Sequence, residues 1–443
     1  MFSTLRNALK IMDLRKKILY TVFILVIFRL GSAAWVPFVD AIALKEATSA
    51  SSDTFMSYLS LLSGGGFSNA SIFSLGIQPY INASIIIQLL TVAIPALERM
   101  AKEGDAGRKK LGQITRFVTV GLGLLLGVAY YFMIRNNYRA VQYTSGWQQW
   151  FAGAVIVLCF TAGSALVMWL GEQINERGIG NGISLILFAG ILSRLPNGIM
   201  YLKGVFWDMG MEPLLEGTGG GNNTFHMLMA PVIVILMLAM VALIVLITEA
   251  ERRIPVQYAK RVVGRKMYGG QSTFIPIKVN MSGVMPIILA SSIIQLPGII
   301  QNFFGIKATW FVTFASWFKY DHWVYVVLYF FMIIGFAFFY VTIQYNPLEM
   351  ANNLRKNSGA IPGYRPGRPT TDYIKRVLNK VTLIGAIFLG FIALFPSLFG
   401  MATGLTGVTL GGTSIMIVVG VALETMQQIE SQMTMRHYKG FLE

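Results

Sequence analysis

The chain has little charge and few of the residues that carry chemistry. Charged residues are 13% of its 443 positions, where about 25% is usual for soluble domains. A single cysteine, Cys159, excludes an intramolecular disulfide and leaves the redox compartment open. The three histidines, His226, His322 and His437, are scattered at the ends of apolar runs, without metal-ligand spacing. No carboxylate pair or nucleophile–base pair falls inside an apolar run. GEQINERGIGNG (171–182) is glycine-rich, yet it lacks the Gly-Lys-Ser/Thr ending and the preceding strand of a phosphate loop. It reads as a tight turn. An enzyme is not expected, and neither is a cofactor. An ion-coupled transporter usually needs midplane carboxylates or histidine, and these are missing too.

What is present is apolar. The hydrophobic fraction is 55% and the mean hydropathy +0.60. One water-soluble core could not bury that much surface, so the excess must face lipid. The net charge of +16 would suggest nucleic acid in a soluble protein. In a membrane protein it fits cytoplasmic loops rich in Lys and Arg.

A bilayer core of about 30 Å needs roughly 20 apolar residues per helix. Ten stretches qualify, near 18–38, 75–97, 115–134, 149–170, 182–203, 227–248, 284–304, 323–345, 380–400 and 412–428. Basic Arg15-Lys16-Lys17 before the first and small Ser32-Ala33-Ala34 within it resemble a removable leader. Arg29 interrupts that run, however, and apolar character resumes through Phe38, so a first transmembrane helix is expected. An intramembrane arginine marks function by default. Here pairing with a backbone carbonyl or snorkelling is the simpler account.

Basic residues alternate between loops. The N-terminus and the loops after the second, sixth and eighth stretches hold most of them, which places both termini in the cytoplasm. Two of these loops, 249–283 and 346–379, are too long to serve topology alone. The first contains RRIPVQYAKR and a strand-like STFIPIKVN, the second IPGYRPGRPTTDYI. Seven basic residues in the first and six in the second make a docking surface for an acidic protein face or RNA phosphate. The ten stretches divide into halves at 1–203 and 226–443, with a glycine-rich hinge at 204–225. Two five-helix halves in one chain have opposite orientations, the geometry of an inverted repeat.

The stretch SLLSGGGFSNASIFSLGIQPYINASIIIQLL (60–90) is apolar but broken by Gly64-Gly65-Gly66 and by Gly76. Broken backbone at membrane depth is tolerated only under cover of protein or a water-filled cavity. An uninterrupted helix begins at about Ile77. Ile77 and Ile81 share one helix face. A ring of such residues would make a hydrophobic constriction that gates by dewetting, although the spacing fits ordinary helix packing equally well.

Long motifs carry a resemblance over nearly the whole chain. They are FRLG (28–31), SGGGFSNASIFSLGIQPYINASIIIQLLT (63–91), MWLGEQINERGIGNGIS (168–184), RRIPVQYAKR (252–261), QSTFIPIKVNMSGVMP (271–286), NPLEMANNLRK (346–356), IPGYRPG (361–367) and GGTSIMIVV (411–419). With these the chain resembles the SecY family, the central subunits of the bacterial Sec protein-translocation channel. The resemblance implies an all-α membrane protein of ten transmembrane helices. Two pseudo-symmetric, inverted five-helix halves would enclose a central pore in a bacterial plasma membrane. It implies a short plug helix at about 56–73, with Leu61, Gly64, Gly65, Gly66, Phe67, Ser68, Asn69 and Ile72. By motif the pore ring is Ile77, Ile81, Leu187, Ile288 and Ile417. A lateral gate between the second and seventh spans would include Asn82, Gln88 and Thr91 facing Ser292, Gln295 and Leu296, with an amide pair holding it shut. Arg252, Arg253, Lys260, Arg261, Arg365 and Arg368 would dock a SecA ATPase or a ribosome. Small SecE- and SecG-type subunits, signal peptides, unfolded preproteins and lipids complete the implied partners. A secondary transporter of a small solute is the alternative.

Overall fold

The computed structural model describes residues 6, 8–44, 63–67, 69–136, 138–143, 146–207, 221–258, 261–263, 266–268, 272–304, 308–318, 322–403 and 412–439. Each of the ten apolar stretches carries helix. In chain order these are α1 (Met12–Ala33), α2 (Gln78–Ala93), α3 (Pro95–Lys102), α4 (Asp105–Asn136), α5 (Trp147–Arg177), α6 (Gly182–Leu192), α7 (Leu195–Phe206) and α8 (Gly221–Glu249). Strands β1 (Glu251–Tyr258), β2 (Arg261–Val263), β3 (Lys266–Tyr268) and β4 (Ser272–Lys278) follow. Then come α9 (Met285–Ile294), α10 (Leu296–Phe304), α11 (Thr309–Ser316), α12 (Trp323–Gln344), α13 (Pro347–Lys356), β5 (Gly359–Ala360), α14 (Arg368–Thr403) and α15 (Gly412–Lys439).

Among the described residues, five helical runs are long and apolar enough to cross a bilayer unaided: Asp105–Asn136, Trp147–Arg177, Pro231–Glu249, Trp323–Lys356 and Arg368–Phe399. The expected second, fifth and seventh spans are each interrupted. The second bends by 103° between α2 and α3. The fifth breaks at Ser193–Arg194 and the seventh at Gln295. A proline stands just past every break: Pro95, Pro196 and Pro297, each in the first two positions of the new helix. Proline has no N–H to give the preceding turn and crowds the residue before it out of helical backbone, yet it suits a first turn.

The predicted hinge 204–225 is helical where it is described, at both ends, as the close of α7 and the start of α8; residues 208–220 lie outside the described set. Strands also qualify the all-helical expectation. β1 pairs with β4 over Glu251↔Lys278 to Gln257↔Ser272, and its other edge takes β5 through Gln257↔Ala360 and Tyr258↔Gly359. The two long basic loops therefore share one three-stranded sheet. Ile254, Val256, Ile277, Leu354, Ile361, Ile374 and Leu378 are buried beneath it in a small apolar core.

Each half has its own core. Phe67, Tyr130, Met133, Ile134, Ile156 and Phe160 fill one. Ile244, Ile287, Ile294, Tyr329, Ile333 and Ile392 fill the other. The halves meet where α6 packs on α15, where α4 packs on α10 and where α7 packs on α8. Near the two chain ends, Leu14, Ile179 and Ile429 form a further buried cluster, so the start of α1 and the far part of α15 lie on one face.

Candidate functional site

Five aliphatic side chains from separate parts of the chain converge at the centre. Ile77, Ile81, Leu187 and Ile417 are buried in one cluster, and Ile288 packs against it half-buried. α2 and its N-cap bring Ile77 and Ile81, α6 brings Leu187, α9 Ile288 and α15 Ile417. The turn between α5 and α6 sets Leu187 in place. Asn175 Oδ1 accepts from Gly182 N at 2.8 Å, and Asn181 Oδ1 caps α6 by accepting from Ile183 N at 3.1 Å. The tight turn expected over GEQINERGIGNG is confined to residues 178–181, because α5 continues through Arg177 and α6 begins at Gly182. The cluster joins both halves and contains no charged side chain among its members.

The stretch before α2 is held rather than loose. Where described, 63–67 and 69–77, it is a run of turns, not the expected helix. Gly64 and Gly65 have φ of 63° and 90°, left-handed values that break a right-handed helix and favour glycine. Residues 56–62, with Leu61, and Ser68 lie outside the described set. Arg29 Nη1 donates to the Gly64 carbonyl at 2.7 Å, so the arginine of the first span pairs with backbone as expected. Ser63 Oγ accepts from Phe67 N at 2.9 Å. Ser74 Oγ donates to the Gly66 carbonyl at 2.9 Å. Phe67 is buried and stacks on Tyr130, whose hydroxyl donates to the Phe67 carbonyl. Backbone bonds Val36 N to Ala70 O, 3.0 Å, and Ile72 N to Ala34 O, 2.9 Å, tie it to the end of α1. Ile72 also lies against the central cluster, and Asn69 is half-buried. Satisfying these backbone groups internally is what an irregular segment at this depth requires.

The expected gate positions fall on α2 and along the broken seventh span. Asn82, Gln88 and Thr91 are half-buried on α2; Ser292 and Gln295 are half-buried and Leu296 is exposed. Thr91 Oγ1 donates back to the Gln88 carbonyl at 2.6 Å. Among the described residues, no hydrogen bond joins Asn82 or Gln88 to Gln295.

A family model for SecY matches residues 71–426. The chain belongs to the SecY family. It is 43% identical to a protein translocase subunit SecY of Streptomyces galbus over 456 residues, covering 100% of both chains. It is 41% identical to the corresponding subunit of Mycobacterium bovis over 461 residues, again covering 100% of both. Among solved structures it resembles a protein-conducting channel, with TM-score 0.65, 18% identity and coverage of 94% of this chain and 92% of that one. It also resembles Sec61 in a canine ribosome–channel complex, at TM-score 0.62, 17% identity and the same coverages of 94% and 92%. At those identities the likeness shows a shared fold.

The SecY fold places the basic docking candidates on the shared sheet and beside it. Arg252 and Arg253 project from β1 and are exposed. Arg253 Nε pairs with Glu251 Oε1 at 2.6 Å, and its guanidinium lies 4.7 Å from the Phe274 ring centroid. Arg365 and Arg368 are exposed at the turn before α14. Thr370 Oγ1 donates to the Arg365 carbonyl at 2.8 Å, and the Tyr364 and Tyr373 rings lie 4.3 Å apart, so this turn is fixed. Arg261 stands on β2; its side chain and Lys260 lie outside the described set. Sequence reasoning missed Phe28 and Phe73, buried in the central cluster with rings 6.0 Å apart. It also missed Tyr130. Phe28 lies within the quoted FRLG motif; Tyr130 stands in an apolar run with no local mark.

Proposed function

We propose that this chain is the protein-conducting channel of a bacterial Sec translocase. It translocates unfolded secretory polypeptides and releases transmembrane segments into lipid through a lateral gate. The observation that carries this reading is the convergence of Ile77, Ile81, Leu187, Ile288 and Ile417, from both halves, into one apolar cluster. As a ring these side chains would form a constriction without hydrogen-bonding groups, which water and ions leave by dewetting. A passing chain parts them, and their aliphatic surfaces close around it. At rest the stretch from Ser63 to Gly76 acts as the plug.

The gate lies between α2 on one side and α9 and α10 on the other. A polar side-chain contact across it is worth about 0.6–2 kcal/mol in a membrane. A signal segment exceeds that by burying its apolar side chains in lipid at about 0.8 kcal/mol per CH₂. The channel supplies no catalytic chemistry, and energy comes from a SecA-type ATPase, from translation or from the membrane potential. The protein sits in the plasma membrane with both termini cytoplasmic, a reading supported by the Lys and Arg bias. SecA and the ribosome use the basic sheet and the Arg365 turn; small SecE- and SecG-type subunits accompany the channel. The halves hinge within 204–225. The alternative of a solute transporter has no support, because an aliphatic centre offers a polar solute no binding groups.

The test is reconstitution of the full chain with SecE- and SecG-type subunits, a SecA-type ATPase and ATP in vesicles. A protease-protected preprotein is expected. Correctly inserted channel that protects none would overturn the reading.

A further inference from the structure

The chain has eight tryptophans, and seven lie at one end of the bundle. The geometry is fixed by the cluster of Leu14, Ile179 and Ile429, which marks the face that also carries the basic sheet. Trp35 follows α1 at the end remote from Leu14. Trp147 and Trp150 begin α5, whose other end leads to Ile179. Trp207 follows α7, which continues away from that same turn. Trp323 begins α12, whose other end leads to the basic sheet, and Trp310 and Trp317 precede it on and after α11. Only Trp169 lies toward the basic face. All seven are exposed, Trp310 at 73% and Trp147 at 77%.

α11 concentrates this pattern. Trp310, Phe314 and Trp317 follow 4–3 spacing, hence share one face, and all three are exposed. Phe311 links the rings, 5.4 Å from Trp310 and 6.2 Å from Phe314, and Phe314 lies 6.5 Å from Trp317 between centroids. Residues 308–318 contain no charged side chain. An eight-residue helix is about 12 Å long, too short to span. It packs against α10, the half-helix that meets α4 of the other half. Such an apolar stripe with indole N–H groups would be poorly placed in water. Amphipathic rings suit the boundary between headgroups and acyl chains.

We propose that α11 is an interfacial anchor. Trp310, Phe314 and Trp317 sit in the headgroup–acyl boundary of the leaflet opposite the basic loops, in a one-sided belt with Trp35, Trp147, Trp150, Trp207 and Trp323. The ligand surface is the lipid boundary itself. Through α10 the anchor fixes the end of the broken seventh span at the seam between halves. The belt follows from the exposed rings and does not depend on what the channel carries.

The experiment uses the full chain in phosphatidylcholine vesicles whose acyl chains are brominated either near the headgroup or near the chain end. Tryptophan emission of the native protein should be quenched more strongly by the shallow bromine. W310F/W317F, which preserves ring packing, should lose part of the shallow quenching and leave the deep component unchanged. The proposal is overturned if the variant and native protein show the same shallow quenching. It is equally overturned if the emission lost in the variant was quenched by aqueous acrylamide and not by bromolipid, or by neither, as burial under another protein chain would give.

Discussion

Arg29 Nη1 donates to the carbonyl oxygen of Gly64 at 2.7 Å. The one arginine inside the first span thereby holds the backbone of the stretch proposed as the plug. Ser193 Oγ also approaches that oxygen, at 3.4 Å, a weak second contact.

Replacing Arg29 with Met keeps an apolar stem and removes the donor. A hydrogen bond to a charged group contributes about 1.5–3 kcal/mol. The plug stretch should therefore leave its site at least tenfold more often, at 1.4 kcal/mol per factor of ten. In a Cys159→Ala background, a cysteine at Asn69 should react faster with a water-soluble maleimide when Arg29 is Met. An unchanged rate would show that the bond does not retain the stretch.

Gly163 on α5 faces the same stretch from behind. A Cβ built there would lie 2.0 Å from the Ile72 carbonyl oxygen. Backbone cannot yield as a flexible side chain does, so Gly163→Ala should cost on the order of 1–3 kcal/mol. A lowered Tm of the purified protein in detergent is the expected outcome. Native Tm with native protease resistance at residues 63–77 would contradict the packing described.

Gly359 couples the two basic loops. It pairs with Tyr258, and a Cβ there would lie 3.0 Å from Tyr258 Cε1 and 3.3 Å from Val256 Cγ1. Gly359→Val should separate β5 from β1. Hydrogen exchange at Gln257 and Tyr258 should then quicken, while the β1–β4 pairing persists. If exchange is unchanged, the loops do not depend on this close approach.

Arg365 is exposed on a turn fixed by its neighbours, so its charge is available to a partner and not needed for folding. Arg365→Glu should reduce SecA-driven translocation in vitro with native Tm, and raised salt should weaken the native interaction. Full translocation activity in the variant would remove Arg365 from the docking surface.

Apolar run length placed a helix in each of the ten stretches, because lipid-facing surface must be continuously apolar, but it did not find the short helices α11 and α13. It did not show the three breaks, although Pro95, Pro196 and Pro297 stood in view; apolar residues on both sides of each proline masked them. Ile77 and Ile81 were paired by spacing alone. Leu187, Ile288 and Ile417 were reached only through family motifs, since contacts between distant segments leave no local period. The pairing of β1 with β5 was unreadable for the same reason, and two residues are too few to alternate. Gln295 looked like the partner of an amide across the gate. Among the described residues no hydrogen bond joins it to Asn82 or Gln88, because such a contact depends on where separate helices place their side chains.

The central claim is that Ile81 and Ile288, from opposite halves, belong to the seal. The direct measurement is the conductance of the reconstituted I81G/I288G channel in a planar bilayer without substrate. Removing both side chains opens an apolar constriction to water, so ion conductance should rise clearly above that of the native protein. Conductance equal to the native value, from a variant that is correctly folded and inserted, would contradict the account.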